Sequence, residues 1–260
     1  MERDRLVPTS AGACADADVT IVIPTFNECD CIDLLLARLF AVCDREGVKV
    51  DVIIVDDNSA DGTGMAAEEW AMRRPVRVIH RPGKLGLGTA VMDGVSFART
   101  EVVGVMDADL SHPPEIIPKL LREMVRRDLD LVVASRYVPG GGTDDFPMSR
   151  WLLSCAGCVL ARPLTPVRDA MSGYFLIKRS ALADFDSVVS GFKIGLEMFV
   201  RARHRSFGEV GYVFVGRRAG ASKMSLAEAT GFLRQLIRLS RDTMASGSVL
   251  SWAFPARRRR

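Results

Sequence analysis

The chain has 260 residues, 48% of them hydrophobic and 26% charged, enough for one large α/β domain with a real core. Its net charge of +3 gives no argument for nucleic acid as a partner. No segment approaches the ~20 apolar residues of a membrane span, and the N-terminal stretch lacks the apolar region of a signal peptide, so the expected protein is soluble or at most peripheral.

The first half alternates apolar β-branched runs with helical patterns. "VTIVI" (19–23) reads as a strand, and a helix follows from about Glu28 with Asn27 as its N-cap. "VDVIIV" (50–55) is the next strand, with a helix near 62–73, and "VRVIH" (76–80) is the third, with a glycine-rich turn and a helix near 88–98. "EVVGVM" (101–106) is a fourth strand, "PPEIIPKLLREMVRR" a helix with proline in its first turn, and "DLVVAS" (130–135) a fifth strand. Near-continuous apolar strands alternating with helices indicate a mostly parallel sheet covered on both faces.

The second half is less regular. "YVPGGGTDDFP" (137–147) reads as a loop, followed by an amphipathic helix near 149–161. "GYFLIK" and "GEVGYVFVGR" read as strands, and "LAEATGFLRQLIRLSRDTM" as a long helix. The expected organisation is a disordered segment over 1–18, one domain over 19–243, and a short apolar and basic tail over 244–260 ending "ARRRR". Such a tail suits an anionic membrane surface. The six cysteines include "CAGC" within the apolar helix of the second half; without a secretory signal they read as ordinary buried thiols.

In a doubly wound sheet, ligands bind at the carboxyl ends of the strands. "PTFNE", "DDNSADGT", "RPGKLGLGT", "DADLS" and "SRY" follow the five strands and should converge on one edge. Asp107 and Asp109 lie one residue apart, so in extended backbone they point the same way. Two carboxylates that close repel, but together they suit a hard divalent cation, Mg²⁺ or Mn²⁺, with a diphosphate supplying more oxygens. His112 is expected to bond to backbone in the turn before Pro113. A nicotinamide oxidoreductase would need G-x-G-x-x-G after the first strand, where "PTFNE" has no glycine. "PGKLGLGT" lacks P-loop spacing. An enzyme of nucleotide-diphospho-sugars fits the acidic and basic clusters together.

At this level of detail the chain resembles family 2 glycosyltransferases of the dolichol- or polyprenol-phosphate mannosyltransferase kind. The resemblance runs from about Val19 to Lys223 through "PTFNE", "DVIIVDDNSADGT", "KLGLGTA", "MDADLSHPPEIIPKLL", "SRYVPGG", "DAMSGYFLIKRSAL", "EMFVRAR" and "RRAGASK". It implies a GT-A, Rossmann-like α/β fold and transfer of mannose from GDP-mannose to dolichyl or polyprenyl phosphate, with inversion. Glucosyl or other hexosyl transfer, and a non-catalytic nucleotide-binding paralogue, are the alternatives. By the same resemblance Pro24, Phe26 and Glu28 match the first nucleotide motif, with Phe26 where tyrosine is usual. Val55 and Asp57 match the second nucleotide-contacting strand end, and Asp107, Ala108 and Asp109 the metal and diphosphate motif. Ser111 stands at the third metal position, often glutamine. Arg217 and Lys223 match a basic pair for the leaving charge; Arg136, Arg150 and Ser154 match the acceptor-phosphate positions. Asp109 and Arg136 are the expected catalytic residues, Arg136 touching the nucleotide sugar as well.

A phosphate acceptor has a second pKa near ~6 and is largely ionised at neutral pH, so no general base is required. Glu197 is therefore read as support for the site. "PMSRW" has proline where polysaccharide synthases of the family carry the glutamine of Q-x-x-R-W. A lipid acceptor implies a peripheral place on the cytoplasmic face of a membrane, docked through "WLLSCAGCVL" and the tail with Trp151 and Trp252 as anchors, or through membrane-anchoring partner subunits.

Overall fold

A computed structural model describes residues 16–144, 146–182, 193–202, 206–216 and 226–245. The segments carrying Arg217, Lys223 and Trp252 lie outside the described residues, as do most of the expected N-terminal segment and tail. Seven strands form one sheet: β1 (Val19–Thr25), β2 (Val50–Asp56), β3 (Val76–His80), β4 (Val102–Val105), β5 (Leu131–Ser135), β7 (Phe175–Lys178) and β8 (Phe207–Gly211), in the order β3-β2-β1-β4-β7-β5-β8. Two short strands, β6 (Gly142–Thr143) and β9 (Val213–Phe214), pair in parallel beside it. The expected 137–147 loop thus contains a strand.

Alternation along each strand builds two cores, because successive side chains face opposite sides of a sheet. Ile21, Ile23, Val52 and Ile54 face one side, with the apolar stripe Ile32, Leu35, Leu36, Leu39 and Cys43 of α1 (Cys29–Glu46). The helices α2 (Thr63–Ala71) and α4 (Ile117–Arg127) contribute Ala67, Leu120 and Met124 to that side. Val22, Ile53, Val55, Val103 and Val133 face the other, with Val91 and Val95 of α3 (Leu87–Phe97). Helix α3 lies so close to β1 that a Cβ on Gly94 would fall 2.4 Å from a Val22 methyl. Burial on both faces is why these strands read as continuous apolar runs.

The strand β7 departs from the pattern. It runs antiparallel to both neighbours, with Val103 opposite Ile177 and Leu131 opposite Ile177 on the far side. Beyond it α5 (Met148–Ala161), α6 (Ile194–Arg201) and α7 (Leu226–Ala245) build a third cluster around Ala161, Leu164, Leu196, Phe232, Leu236 and Leu239. Helix α6 was not among the expected elements. Among the described residues no helix is long and apolar enough to cross a membrane.

Candidate active site

Four of the five polar clusters line one cleft of about 210 Å³ at the carboxyl ends of β1, β2 and β4: Pro24, Phe26 and Glu28; Asp57; Lys84 and Leu87; and Asp107 to Asp109. The fifth brings Arg136 into a neighbouring cavity of about 100 Å³, with Arg150, Lys193, Tyr212 and Phe214. Asp107 and Leu87 line both.

The loops that close the cleft are tied together by side chains. Asn27 is not the N-cap of α1. It takes a left-handed conformation (φ 57°), its N–H donates to Ser59 Oγ, and its side-chain oxygen accepts from the N–H of Ala60. A short polar side chain tolerates that conformation, and here it stitches the turn after β1 to the turn after β2. Asp56 accepts from Ser59 and Thr25 in the same layer. Asp61 accepts from the N–H of Cys29 at 3.0 Å, so it, rather than Asn27, satisfies the start of α1.

Asp57 lines the cleft over a buried network. Arg81, whose side chain is 1% exposed, donates to Asp57 Oδ1 at 2.5 Å and to the Thr89 hydroxyl at 2.6 Å, and pairs with Asp93 at 3.1 Å. The N–H of Gly86 donates to Asp57 Oδ2 at 3.2 Å. Val55, by contrast, is fully buried in the α3 core and does not line the cleft. Its side chain is spent on packing, so only its backbone could meet a nucleotide. Phe26 is exposed, and Lys84 Nζ stands 3.9 Å from its ring centroid, a cation–π pair at the cleft wall.

The two carboxylates behave differently. Asp109 is buried and accepts from Ser111 at both its N–H (3.0 Å) and its hydroxyl (2.5 Å). This holds the turn in which Leu110 adopts φ 62°, an uncommon conformation for a non-glycine residue. Ser111 is buried, does not line the cleft, and spends its N–H and hydroxyl on Asp109. Asp107 keeps 35% of its side chain exposed, and its N–H donates to His112 Nδ1 at 3.0 Å. Burial pushes His112 below its ordinary value, so it is neutral. Because Nδ1 accepts, the proton sits on Nε2, which points toward Asp107 Oδ2 at 3.8 Å. Tyr174 stacks on the ring at 4.9 Å. Among the described residues no group of three or more His, Cys, Asp or Glu surrounds one point. Two hard oxygen donors beside an open cleft fit Mg²⁺ or Mn²⁺, which keep waters and substrate phosphates as further ligands.

In the second cavity Arg136 is held by Asp169 through three hydrogen bonds, two of them from its guanidinium at 2.8 and 2.7 Å. Burial alone would lower its pKa, but this bidentate pair holds it well above the ordinary value. The guanidinium of Arg150 stands 4.5 Å from the Phe146 centroid and 5.7 Å from that of Phe214. Ser154 is buried on α5, its hydroxyl finds no hydrogen-bond partner among the described residues, and it does not line the cavity. Glu197 is also away from both cavities: it is fully buried and bonded to Gln235 and Arg238 of α7, and burial raises its pKa. Sequence reasoning missed Arg81, Asp169 and Lys193. It quoted Lys84 and assigned only the glycines around it.

A mostly parallel sheet whose carboxyl edge sets a carboxylate pair in a cleft beside a second cavity is the architecture of a GT-A glycosyltransferase. The chain matches "Glycosyl transferase family 2" over residues 20–185, and it belongs to that family. It is 34% identical over 225 residues to a dolichol-phosphate mannosyltransferase of Pyrococcus furiosus, across 85% of this chain and 63% of that protein. A dolichol-phosphate mannosyltransferase of Saccharomyces cerevisiae is 36% identical over 233 residues, across 85% of this chain and 86% of its own. A polyprenol monophosphomannose synthase of Mycolicibacterium smegmatis is 37% identical, across 79% and 80%. The chain thus spans less than two thirds of the archaeal relative. In three dimensions it is similar to glucosyl-3-phosphoglycerate synthase from Mycobacterium tuberculosis, solved with Mn²⁺ and UDP, with a TM-score of 0.60 and 20% identity across 88% of this chain and 80% of that one. That likeness is one of fold.

Proposed function

We propose that this chain transfers mannose from GDP-mannose to a dolichyl or polyprenyl phosphate, with inversion at the sugar carbon. The observation that carries the reading is the pair of adjoining cavities with Asp107 in their common wall, one acidic and one lined by arginines. The relatives named for mannosyl transfer to dolichol or polyprenol phosphate support the same choice of sugar and acceptor.

In this reading the nucleotide lies along Phe26, Lys84 and Asp57, and Asp107 with Asp109 would hold Mg²⁺ or Mn²⁺. A bound cation of this kind supplies positive charge against the departing diphosphate. Ser111 keeps Asp109 aimed, and the Nε2–H of His112 faces Asp107. Arg136, fixed by Asp169, and Arg150 orient the acceptor phosphate toward the sugar carbon, so that an oxygen already ionised attacks in line. The cavity suits such a nucleophile because, among the described residues of its wall, no side chain is placed to deprotonate a hydroxyl. His112 already accepts a hydrogen bond at Nδ1, and Asp107 serves the cation. Arg217 and Lys223 would close on the leaving charge.

The lipid places the enzyme at a membrane surface, on its cytoplasmic face where GDP-mannose is met, with or without anchoring subunits. Helix α5 exposes Trp151, Leu152, Leu153, Val159 and Leu160 beside Arg150, an amphipathic face suited to an interface. The test is transfer from labelled GDP-mannose or UDP-glucose to a short-chain polyprenyl phosphate, with Mg²⁺ or Mn²⁺. Labelled lipid from GDP-mannose is the expected product. Preference for UDP-glucose, or no transfer to lipid phosphate, overturns the reading.

A further inference from the structure

We propose that Glu209, on the edge strand β8, is a positioning residue for Arg136. It fixes the backbone that carries Asp169, and Asp169 in turn aims the Arg136 guanidinium at the acceptor phosphate. The inference rests on the reading of the second cavity as a phosphate-monoester site.

Asp169 sets the direction of Arg136. Its Oδ2 accepts from both the backbone N–H and the Nε–H of Arg136, at 2.9 and 2.8 Å, and its Oδ1 accepts from Nη2 at 2.7 Å. A planar guanidinium held at two of its nitrogens takes its plane from the carboxylate it meets. The N–H groups left for a ligand therefore point where Asp169 directs them. Asp169 is fully buried, so a shift of its backbone becomes a shift of the guanidinium.

That backbone is held from elsewhere. Residues 162–174, between α5 and β7, form neither helix nor strand, so their N–H groups have no ladder to join. Two of them converge on one carboxylate: Glu209 Oε2 accepts from the N–H of Arg168 at 3.0 Å, and Oε1 from that of Asp169 at 3.1 Å. Further on, the Ser172 hydroxyl donates to the Ala134 carbonyl at 2.7 Å. The segment is thus pinned to β8 at Asp169 and to β5 beyond it. The same two strands hold the backbone that leads into Arg136, with Ser135 opposite Gly211 and the N–H of Tyr212 donating to the Ser135 carbonyl at 3.1 Å. Glu209 itself lines neither cavity. A charge on an edge strand commonly guards against pairing with another chain. A guard would face solvent, whereas both oxygens of Glu209 are spent on this one turn. Its route to the acceptor runs through Asp169 and Arg136.

The experiment reads KM for a short-chain polyprenyl phosphate, beside GDP affinity with Mn²⁺, in Glu209→Gln, Glu209→Asp, Arg136→Met and the double variant of Glu209→Gln with Arg136→Met. Glutamine keeps the shape of glutamate but turns an amide NH₂ toward one of the two donors. Glu209→Gln should raise the acceptor KM about 10-fold. Glu209→Asp keeps the charge and loses the reach, and should raise it similarly. Arg136→Met should raise it further, and adding Glu209→Gln to it should change little, because residues that act through one another are not additive. GDP affinity should stay near wild type throughout, which also reports an intact fold. An unchanged KM in Glu209→Gln, with a raised one in Arg136→Met, overturns the positioning role and leaves the reading of the cavity standing. Unchanged values in both remove the cavity as the acceptor site, and the inference with it. The same fold-rise from Glu209→Gln with or without Arg136, or a parallel loss of GDP affinity, makes Glu209 a support of the fold at large and overturns the proposal. A wild-type KM in Glu209→Asp beside a raised one in Glu209→Gln makes the effect one of charge at the sheet edge, and overturns it too.

Discussion

The acidic cleft, read as the donor site, and the arginine-lined cavity, read as the acceptor site, share Asp107 but hold their charges in opposite ways. Two of the cleft's carboxylates are locked by hydrogen bonds, Asp57 by Arg81 and Gly86, Asp109 by Ser111. They sit where consecutive parallel strands end, so short turns bring them together. The cavity draws Arg136, Arg150 and Lys193 from β5, α5 and α6. Apart from Arg136, these cations are partly exposed, Arg150 resting on aromatic rings. A diphosphate and its cation demand carboxylates fixed before they bind, whereas a lipid headgroup that must enter and leave is served by partly exposed cations. Charges in the cleft should therefore belong to the fold as well as the site, and those exposed cations to the site alone.

The largest effect is expected at the cleft's centre. Asp109→Ala should, on the proposed function, lower transfer from GDP-mannose by about 1,000-fold or more, since a carboxylate that holds the cation would carry several kcal/mol of leaving-group stabilisation. Near-normal, metal-dependent turnover in that variant would remove Asp109 from the metal site. The next prediction addresses the comparison itself. Arg81→Met breaks a buried pair and should cost about 3–5 kcal/mol of stability, read as a lower urea midpoint. Arg150→Ala should cost about 1 kcal/mol or less, the worth of a partly exposed cation–π contact. If the two variants unfold alike, the division between a locked cleft and a looser cavity is wrong.

The same division decides what was legible in the sequence. The strands β1 to β5 were found to within two residues, because strands buried on both faces write continuous apolar runs such as "VDVIIV". Their polar ends could then be assembled on one edge by topology alone. The helix α6 was missed because "IGLEMFVR" is short and mostly buried, so it shows no polar stripe. The partners Arg81 and Asp169 could not be read, since each meets its carboxylate or guanidinium across 24 and 33 residues of chain. Asn27 and Ser111 show a subtler limit. Asn27 precedes a helix start and Ser111 follows Asp109 by two residues, but a side chain with several hydrogen-bonding atoms serves whichever neighbour the folded turn brings closest. Here those neighbours are Ala60 and Asp109. Resemblance carried Ser154 and Val55 to positions whose side chains the fold turns inward.

The smallest effect tests how far the locked half extends. Asp61 joins the starts of α1 and α2 by accepting from the N–H of Cys29 and from the N–H and hydroxyl of Thr63. Partial desolvation pushes its carboxyl up, yet the Thr63 hydroxyl and these N–H groups hold it below the ordinary 3.8. A carboxyl with a lowered folded-state pKa contributes stability above its unfolded value, and that contribution is lost as pH falls through the folded one. Asp61→Ala should therefore cost about 1 kcal/mol at neutral pH, the usual worth of such a cap. The gap from wild type should narrow as pH drops below 3.8, because the unfolded chain then gains protons that the folded one resists. Urea midpoints of both proteins at neutral pH and near ~pH 3 measure it. A gap of the same size at both would mean that Asp61 holds the two helices without its charge, and that the locked network ends at Asp57 and Asp56.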